Sequence, residues 1–243
     1  MSKNTSAPER GQARTQTIAV AAAGLETALN RREGVPGMVA LSGPPGYGKT
    51  SAAVFLSHPA DYNCVYVSCR SFETTKSLGQ MLLKELGVAA KTHWPISTAF
   101  EHICEALVQS GRPLVVDEVD HIAEKNSINL LRDLHDTTQT PIFLIGEERL
   151  KQKLLNHHER FHDRVLVWAK AVPADGSDLD KLMRHYAPTL EIEPAGKKHL
   201  LATTSGVARR IVTALSALVE AAGNAGTERL ALADVQAALK GAR

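Results

Sequence analysis

The chain has 243 residues, 44% apolar and 22% charged, with a formal net charge of +2; that length holds one α/β domain and a small appendage with ample core. No stretch approaches the ~18 consecutive apolar residues of a membrane span, and the polar N-terminus has no apolar signal core, so neither a membrane segment nor secretion is expected. So small a charge does not announce a nucleic-acid binder, although a local basic face would be sufficient for phosphate contacts.

Residues 1–14 read as a flexible, solvated tail rich in Ser, Thr and charge. Ile18, Ala21, Ala22, Leu25 and Leu29 then recur at helical spacing and predict a first helix over 15–32. Apolar strand-like runs follow at 38–41, 64–69, 113–116, 141–145 and 165–172, separated by helical patterns near 49–57, 75–86, 97–109, 127–136 and 148–162. Largely apolar strands divided by helices imply a parallel sheet covered on both faces. Cys64, Cys69 and Cys104, odd in number and set in apolar segments, read as reduced thiols of a cytoplasmic protein.

The character changes after Pro173-Ala174-Asp175-Gly176, where short helices are expected at 178–186, 195–204, 207–222 and 231–240, with at most one strand at 190–192. The expected organisation is therefore a tail over 1–14, an α/β core with a central parallel sheet over 15–175, and a small C-terminal helical subdomain over 176–243.

Residues 43–50 read Gly43-Pro44-Pro45-Gly46-Tyr47-Gly48-Lys49-Thr50, a full match to G-x-x-x-x-G-K-[ST], with a strand pattern before it and Ser51 opening a helix after it. In such a loop glycines let successive backbone N–H groups face phosphate oxygens, Lys49 reaches the β/γ-phosphates, and the Thr50 hydroxyl ligands Mg²⁺. The helix behind it points its positive end at the phosphates. Downstream, Leu114-Val115-Val116-Asp117-Glu118 is an apolar strand ending in two acids. Asp117 would hold Mg²⁺ and Glu118 would polarise the attacking water, so the pair points to hydrolysis of a nucleotide rather than binding alone.

His158-Glu159-Arg160-Phe161-His162 is a literal H-E-x-x-H, which on a helix could hold Zn²⁺ with Glu159 as general base. The segment also contains His157 and follows two stronger motifs, so solvated helix-end histidines are expected instead of a zinc protease.

Gly43–Thr50 and Asp117-Glu118-Val119-Asp120-His121-Ile122 resemble the Walker A and Walker B motifs of AAA+ ATPases. Within them the chain, over about residues 15–225, is similar to the transposition-associated branch of MuB-like, TnsC and TniB proteins. The resemblance implies an AAA+ P-loop fold with a helical lid, ATP and Mg²⁺ as cofactors, and a bacterial or phage source. It also implies ATP-dependent, sequence-independent binding of duplex DNA, assembly into a homo-oligomeric filament or ring, and delivery of target DNA to a transposase. The first helix is expected to begin near residue 15, so the N-terminal helix-turn-helix module of MuB is not expected here.

Residue by residue, the resemblance places sensor 1, typically Asn, Gln or Thr, at Glu147. A carboxylate there would repel a γ-phosphate unless protonated or turned toward Mg²⁺ or water. Arg164, with Arg160 second, corresponds to the arginine finger that reaches a neighbouring subunit's nucleotide. Ser205-Gly206-Val207-Ala208-Arg209-Arg210 looks like sensor 2, with Arg209 over the phosphates and Arg210 as fallback. Tyr47 and residues 15–18 are placed to border the base. Arg70, Lys76, Lys125, Lys151 and Lys153 are the candidate DNA contacts by position, with Lys197 and Lys198 in the C-terminal part. Two other readings use the same motifs: remodelling of a protein client, as in ExeA-like ATPases or helicase loaders, and a nucleotide-gated binding module with negligible turnover.

Overall fold

A computed structural model of the chain describes residues 12–89, 91 and 93–241; residues 1–11 of the expected tail lie outside the described residues. The chain divides into two compact units. One comprises 20–45 and 49–171, the other 12–19, 46–48 and 172 onward.

The first unit is built on five parallel strands: β1 (Met38–Ser42), β2 (Val65–Ser68), β3 (Leu114–Asp117), β4 (Ile142–Gly146) and β5 (Val165–Lys170), in the spatial order β2-β3-β4-β1-β5. The chain leaves β1 for the far edge, returns strand by strand to β4, then passes over β1 to β5. Ligands of open parallel sheets bind outside the carboxyl ends of the strands, at such a change of direction. Register aligns those ends: Ser42 pairs with Gly146 on one side and Lys170 on the other, and Ser68 pairs with Asp117.

The sequence explains the layering. Every residue of β1, β3 and β4 is buried, as unbroken apolar runs require when helices cover both faces. Edge strand β2 instead alternates buried Val65 and Val67 with half-buried Tyr66 and Ser68. Helices α1 (Gln16–Leu29), α2 (Lys49–Ser57), α3 (Thr75–Glu85), α4 (Ile96–Ser110), α5 (Asn129–Thr138), α6 (Leu150–His157) and α7 (Glu159–His162) complete the connections. Leu78, Leu82, Ile103, Leu107, Leu131, Leu134 and Phe161 join the sheet residues in one core. Each such side chain contributes about 1.5–3 kcal/mol by leaving water.

The second unit contains α8 (Gly176–Tyr186), β6 (Glu191–Ile192), α9 (Pro194–Thr204), α10 (Ala208–Ala225), β7 (Arg229–Leu230) and α11 (Leu232–Gly241). It has its own core of Leu179, Leu182, Leu200, Ile211, Leu215, Leu218 and Val235. Asp175 caps α8 by accepting the Asp178 N–H at 2.9 Å, the usual way a helix start satisfies one orphan donor. Buried Asp178 in turn accepts the Gln16 N–H, with both carboxylate oxygens at 3.0 Å, and so pins the start of α1 to this unit.

Three expectations are corrected. The helix expected over 148–162 is two helices, because His158 at φ −146°, ψ 63° is non-helical and ends α6 before α7 begins. The two H-E-x-x-H histidines therefore do not share a continuous helical face, and among the described residues no group of three or more His, Cys, Asp or Glu is arranged to hold a metal ion. The helix expected at 127–136 starts as a 3₁₀ turn (Asn126–Ile128) and runs to Thr138, where Gln139 in the left-handed region ends it. Finally, β7 was not expected. It pairs parallel with β6, and two residues carry no periodicity to read.

Candidate nucleotide site

The phosphate loop follows β1 directly. Gly43 packs on Ala171, whose Cβ lies 2.9 Å from where a Gly43 Cβ would stand, while the Ala171 N–H donates to the Ser42 carbonyl at 2.8 Å. Any side chain at 43 would push the loop off the end of β5. Gly46 and Gly48 have φ of +83° and +82°, a region open to glycine at no steric cost. The residues that curl the loop are therefore the glycines the pattern demands. Gly46–Gly48 pack with the second unit, where the Arg209 N–H donates to the Gly46 carbonyl at 3.0 Å. Thr15 Oγ1 lies 4.0 Å from the space beside Gly48.

Lys49 opens α2 and folds back onto the loop, its ammonium donating to the carbonyls of Gly43 at 2.6 Å and Pro44 at 2.9 Å. Burial pulls its pKa below the ordinary lysine value, and Glu118, Glu147, Asp117 and Asp120 oppose that pull. One partly buried cation thus sits in the field of four carboxylates at the carboxyl edge of the sheet, where a polyphosphate would supply further anionic oxygens. Thr50 stands exposed in the first turn of α2, and Ser51 follows it.

Asp117 ends β3 with only 2% exposure. Its Oδ1 accepts the Glu118 N–H at 2.8 Å and its Oδ2 faces the Tyr66 hydroxyl at 3.4 Å. Burial, then the Asp117 charge, pushes the Tyr66 phenol above its ordinary pKa, so this hydroxyl stays a donor. Glu118 has φ 54°, ψ 35° and is exposed. A left-handed glutamate costs roughly 1–2 kcal/mol, and the bond from its own N–H to Asp117 helps hold it. Each Asp117 oxygen keeps a free lone pair. With the Thr50 hydroxyl it offers the hard oxygen donors that Mg²⁺ takes alongside water and phosphate, so these residues fit the ion.

Glu147 follows β4 at the same edge, exposed, and its N–H donates to Asp120 Oδ2. Tyr66 and Asp120 were missed in the sequence reading. Asp120 was findable as the third acid of Asp117-Glu118-Val119-Asp120, whereas the pairing of Tyr66 with Asp117 requires the register of β2 on β3.

Arg160 and Arg164 lie at the other edge. Arg164 immediately precedes β5, so one strand length of ~20 Å separates it from the phosphate-loop edge. Its guanidinium forks onto Asp136 at 3.2 and 3.1 Å and also donates to the Arg160 carbonyl. The Asp136 bond holds the Arg164 pKa above its ordinary value. No hydrogen bond or ion pair of the Arg160 side chain occurs among the described residues.

The candidate DNA contacts separate into two groups. Arg70, in the connection from β2 to α3, and Lys76, in the first turn of α3, are exposed, with Arg70 over the Phe72 ring at 5.9 Å. The other three have work inside the fold. Lys125 donates to the Ser71 carbonyl, Lys151 lies 5.2 Å over the Trp168 ring, and Lys153 pairs with Glu124 at 3.7 Å and Asp120 at 4.0 Å. In the second unit Lys197 pairs with Asp180 at 2.7 Å. Position along the chain could not show these partners.

A family profile described as an AAA domain matches residues 32–155. Replication factor C subunit 1 of Saccharomyces cerevisiae is 26% identical over 185 residues, 73% of this chain, which spans only 20% of that protein's length. Among solved structures, the Aeropyrum pernix ORC2 protein in its ADPNP–ADP complexes superposes with a TM-score of 0.70 at 17% identity, covering 98% of this chain and 70% of that one. Cdc6p from Pyrobaculum aerophilum gives 0.67 at 15% identity over 99% and 70% of the two chains. The Thermotoga maritima RuvB Holliday junction branch migration motor gives 0.63 at 17% over 93% and 68%. These structures show a shared fold. Because the AAA profile covers just over half of the chain and contains both the phosphate loop and the Asp117-Glu118 strand end, the chain belongs to the AAA domain family.

Proposed function

We propose that the protein is a Mg²⁺-dependent ATPase whose bound nucleotide governs its assembly on duplex DNA, and that it brings target DNA to a transposase. The observation that carries the assembly is the separation of parts across one sheet. Lys49, Asp117 and Glu118 stand at the carboxyl edge and Arg160 and Arg164 at the amino edge. An arginine ~20 Å from its own phosphate loop acts only on the nucleotide of another copy.

Within each site the loop amides and Lys49 bind the phosphates. Thr50 and Asp117 would hold Mg²⁺, which would supply positive charge to offset that of the phosphate oxygens. Glu118 takes the proton of the attacking water, and the neighbour's guanidinium offsets the charge that develops on the transferred group. Arg209 is assigned the sensor 2 role within the helical subdomain, proposed to run from about residue 176. Arg164 comes first as the finger. Its pair with Asp136 is more than a third exposed, so opening it costs no more than ~1 kcal/mol.

Members of the family are typically ATPases, and DNA is supported by RuvB being a branch migration motor. The transposase rests on the resemblance to MuB-like, TnsC and TniB proteins. The likeness to replication factor C, ORC2 and Cdc6p favours a second reading, in which the client is a protein assembly on DNA, as for a loader.

Two assays test the proposal. With a non-hydrolysable ATP analogue at low salt, duplex DNA should shift, and the shift should weaken steeply as salt rises; no shift at low salt defeats the DNA reading. Steady-state phosphate release should be measurable in the wild type and fall ~100-fold or more in Glu118→Gln while nucleotide affinity is kept. Wild-type turnover at the level of that variant would leave a nucleotide-gated binding module instead.

A further inference from the structure

Asp120 lies in the 3₁₀ turn Val119–His121, immediately after Glu118, and its side chain is 6% exposed. Nothing in the catalytic scheme uses it, yet a buried carboxylate is expensive unless it has partners. Its Oδ2 accepts the backbone N–H of Glu147, 27 residues away. The same oxygen, together with Leu150 Cδ2 at 2.9 Å, fills the space where residue 146 would carry a Cβ. Gly146 has no positive φ, so a side chain is opposed there by the carboxylate and the Leu150 side chain rather than by the backbone.

Among the described residues the second oxygen, Oδ1, is buried without a hydrogen bond, and the nearest cation is Lys153 Nζ at 4.0 Å. Burial raises the Asp120 pKa, against the Glu147 N–H and Lys153. Holding such a group costs stability in itself, which is common where a site must be pre-set.

We propose that Asp120 is a positioning residue. Its carboxylate clamps the end of β4 to the turn that carries Glu118, fixing Glu147 relative to the residue that activates water. The kinetic consequence rests on the ATPase reading above; the clamp itself does not. Its chemistry requires an oxygen acceptor at 120 and no side chain at 146. The negative charge is not required.

The test uses the full chain with Asp120→Ala, Asp120→Asn, Gly146→Ala and the Asp120→Ala/Gly146→Ala double variant. Asp120→Ala should speed hydrogen exchange of the Glu147 amide ~10-fold or more. It should also lower kcat for phosphate release by ~10-fold or more, with the affinity for a fluorescent ATP analogue nearly unchanged. Asp120→Asn, whose amide oxygen accepts the same N–H, should retain both properties. Gly146→Ala should reproduce the Asp120→Ala defect even if Asp120→Ala does not fold. The double variant should be no worse than the worse single one, because the carboxylate clash is gone and only the movable end of the Leu150 side chain is left to give way.

Unchanged Glu147 exchange in Asp120→Ala, an Asp120→Asn as defective as Asp120→Ala, or fully additive defects would overturn the clamp. A wild type without turnover would remove the ATPase reading alone, and the exchange measurement would still decide on Asp120.

Discussion

At the scale of single residues, the site is organised by backbone geometry that only a few side chains tolerate. Glu118 is the clearest instance, a glutamate held in the left-handed region at the end of a buried strand. Glycine would relieve that conformation, gaining roughly 1–2 kcal/mol in the folded state and losing roughly 0.5–1 to the greater freedom of the unfolded chain. Glu118→Gly is therefore expected to melt no lower than the wild type while turnover disappears. A clear loss of stability in that variant, measured by thermal or urea unfolding, would mean that the strain is not stored at this position. Lys49, Asp117 and Glu118 were legible from the sequence because a phosphate loop and an apolar strand ending in acids impose fixed spacings. Glu147 was legible by place only, since the residue type departs from the sensor pattern.

At the scale of elements, the five strands were legible because burial on both faces leaves continuous apolar runs, while ends moved by one or two residues where a cap or turn decided them. The break at His158 was not legible, since its cause is a single backbone conformation inside a helical pattern. The partners of three of the candidate DNA-contact lysines were not legible, because a long side chain finds its partner in three dimensions: Ser71 for Lys125, Trp168 for Lys151, Asp120 and Glu124 for Lys153.

One connection between elements has a pH signature. His135 on α5 is buried, accepts the Gly37 N–H on Nε2 at 3.1 Å, and presents Nδ1 to the Thr140 carbonyl at 2.8 Å. The first bond requires an unprotonated Nε2, so the native ring is neutral with its proton on Nδ1. Burial holds its pKa below the ordinary histidine value. Below pH ~6.5 the unfolded chain binds a proton that the folded chain refuses, so stability falls as pH drops from ~6.5 toward the lowered folded pKa. His135→Leu should cost ~1–3 kcal/mol at pH 7 by orphaning the Gly37 N–H. Its deficit relative to wild type should shrink between pH 7 and 5, and urea unfolding at the two pH values checks this. A constant deficit would show that His135 does not titrate differently in the two states.

At the scale of the whole molecule, the proposed activity belongs to an assembly. The charge of +2 gave no hint of this, and the exposed cations Arg70 and Lys76 are too few to read as a basic face in one copy; a spiral of copies would repeat them along a duplex. The parts of the proposed site sit on opposite edges of one sheet, so a variant broken at one edge and a variant broken at the other should complement each other. The most direct measurement is ATP turnover, with duplex DNA present, in an equimolar mixture of Glu118→Gln and Arg164→Ala, repeated with Arg160→Ala. Each variant alone should be nearly inactive. The mixture should recover about a quarter of wild-type activity, the share of head-to-tail contacts that join an intact site to an intact arginine under random mixing. If both mixtures stay at the sum of their separate rates while each variant still binds ATP and assembles, the site is not completed between copies and the account is wrong.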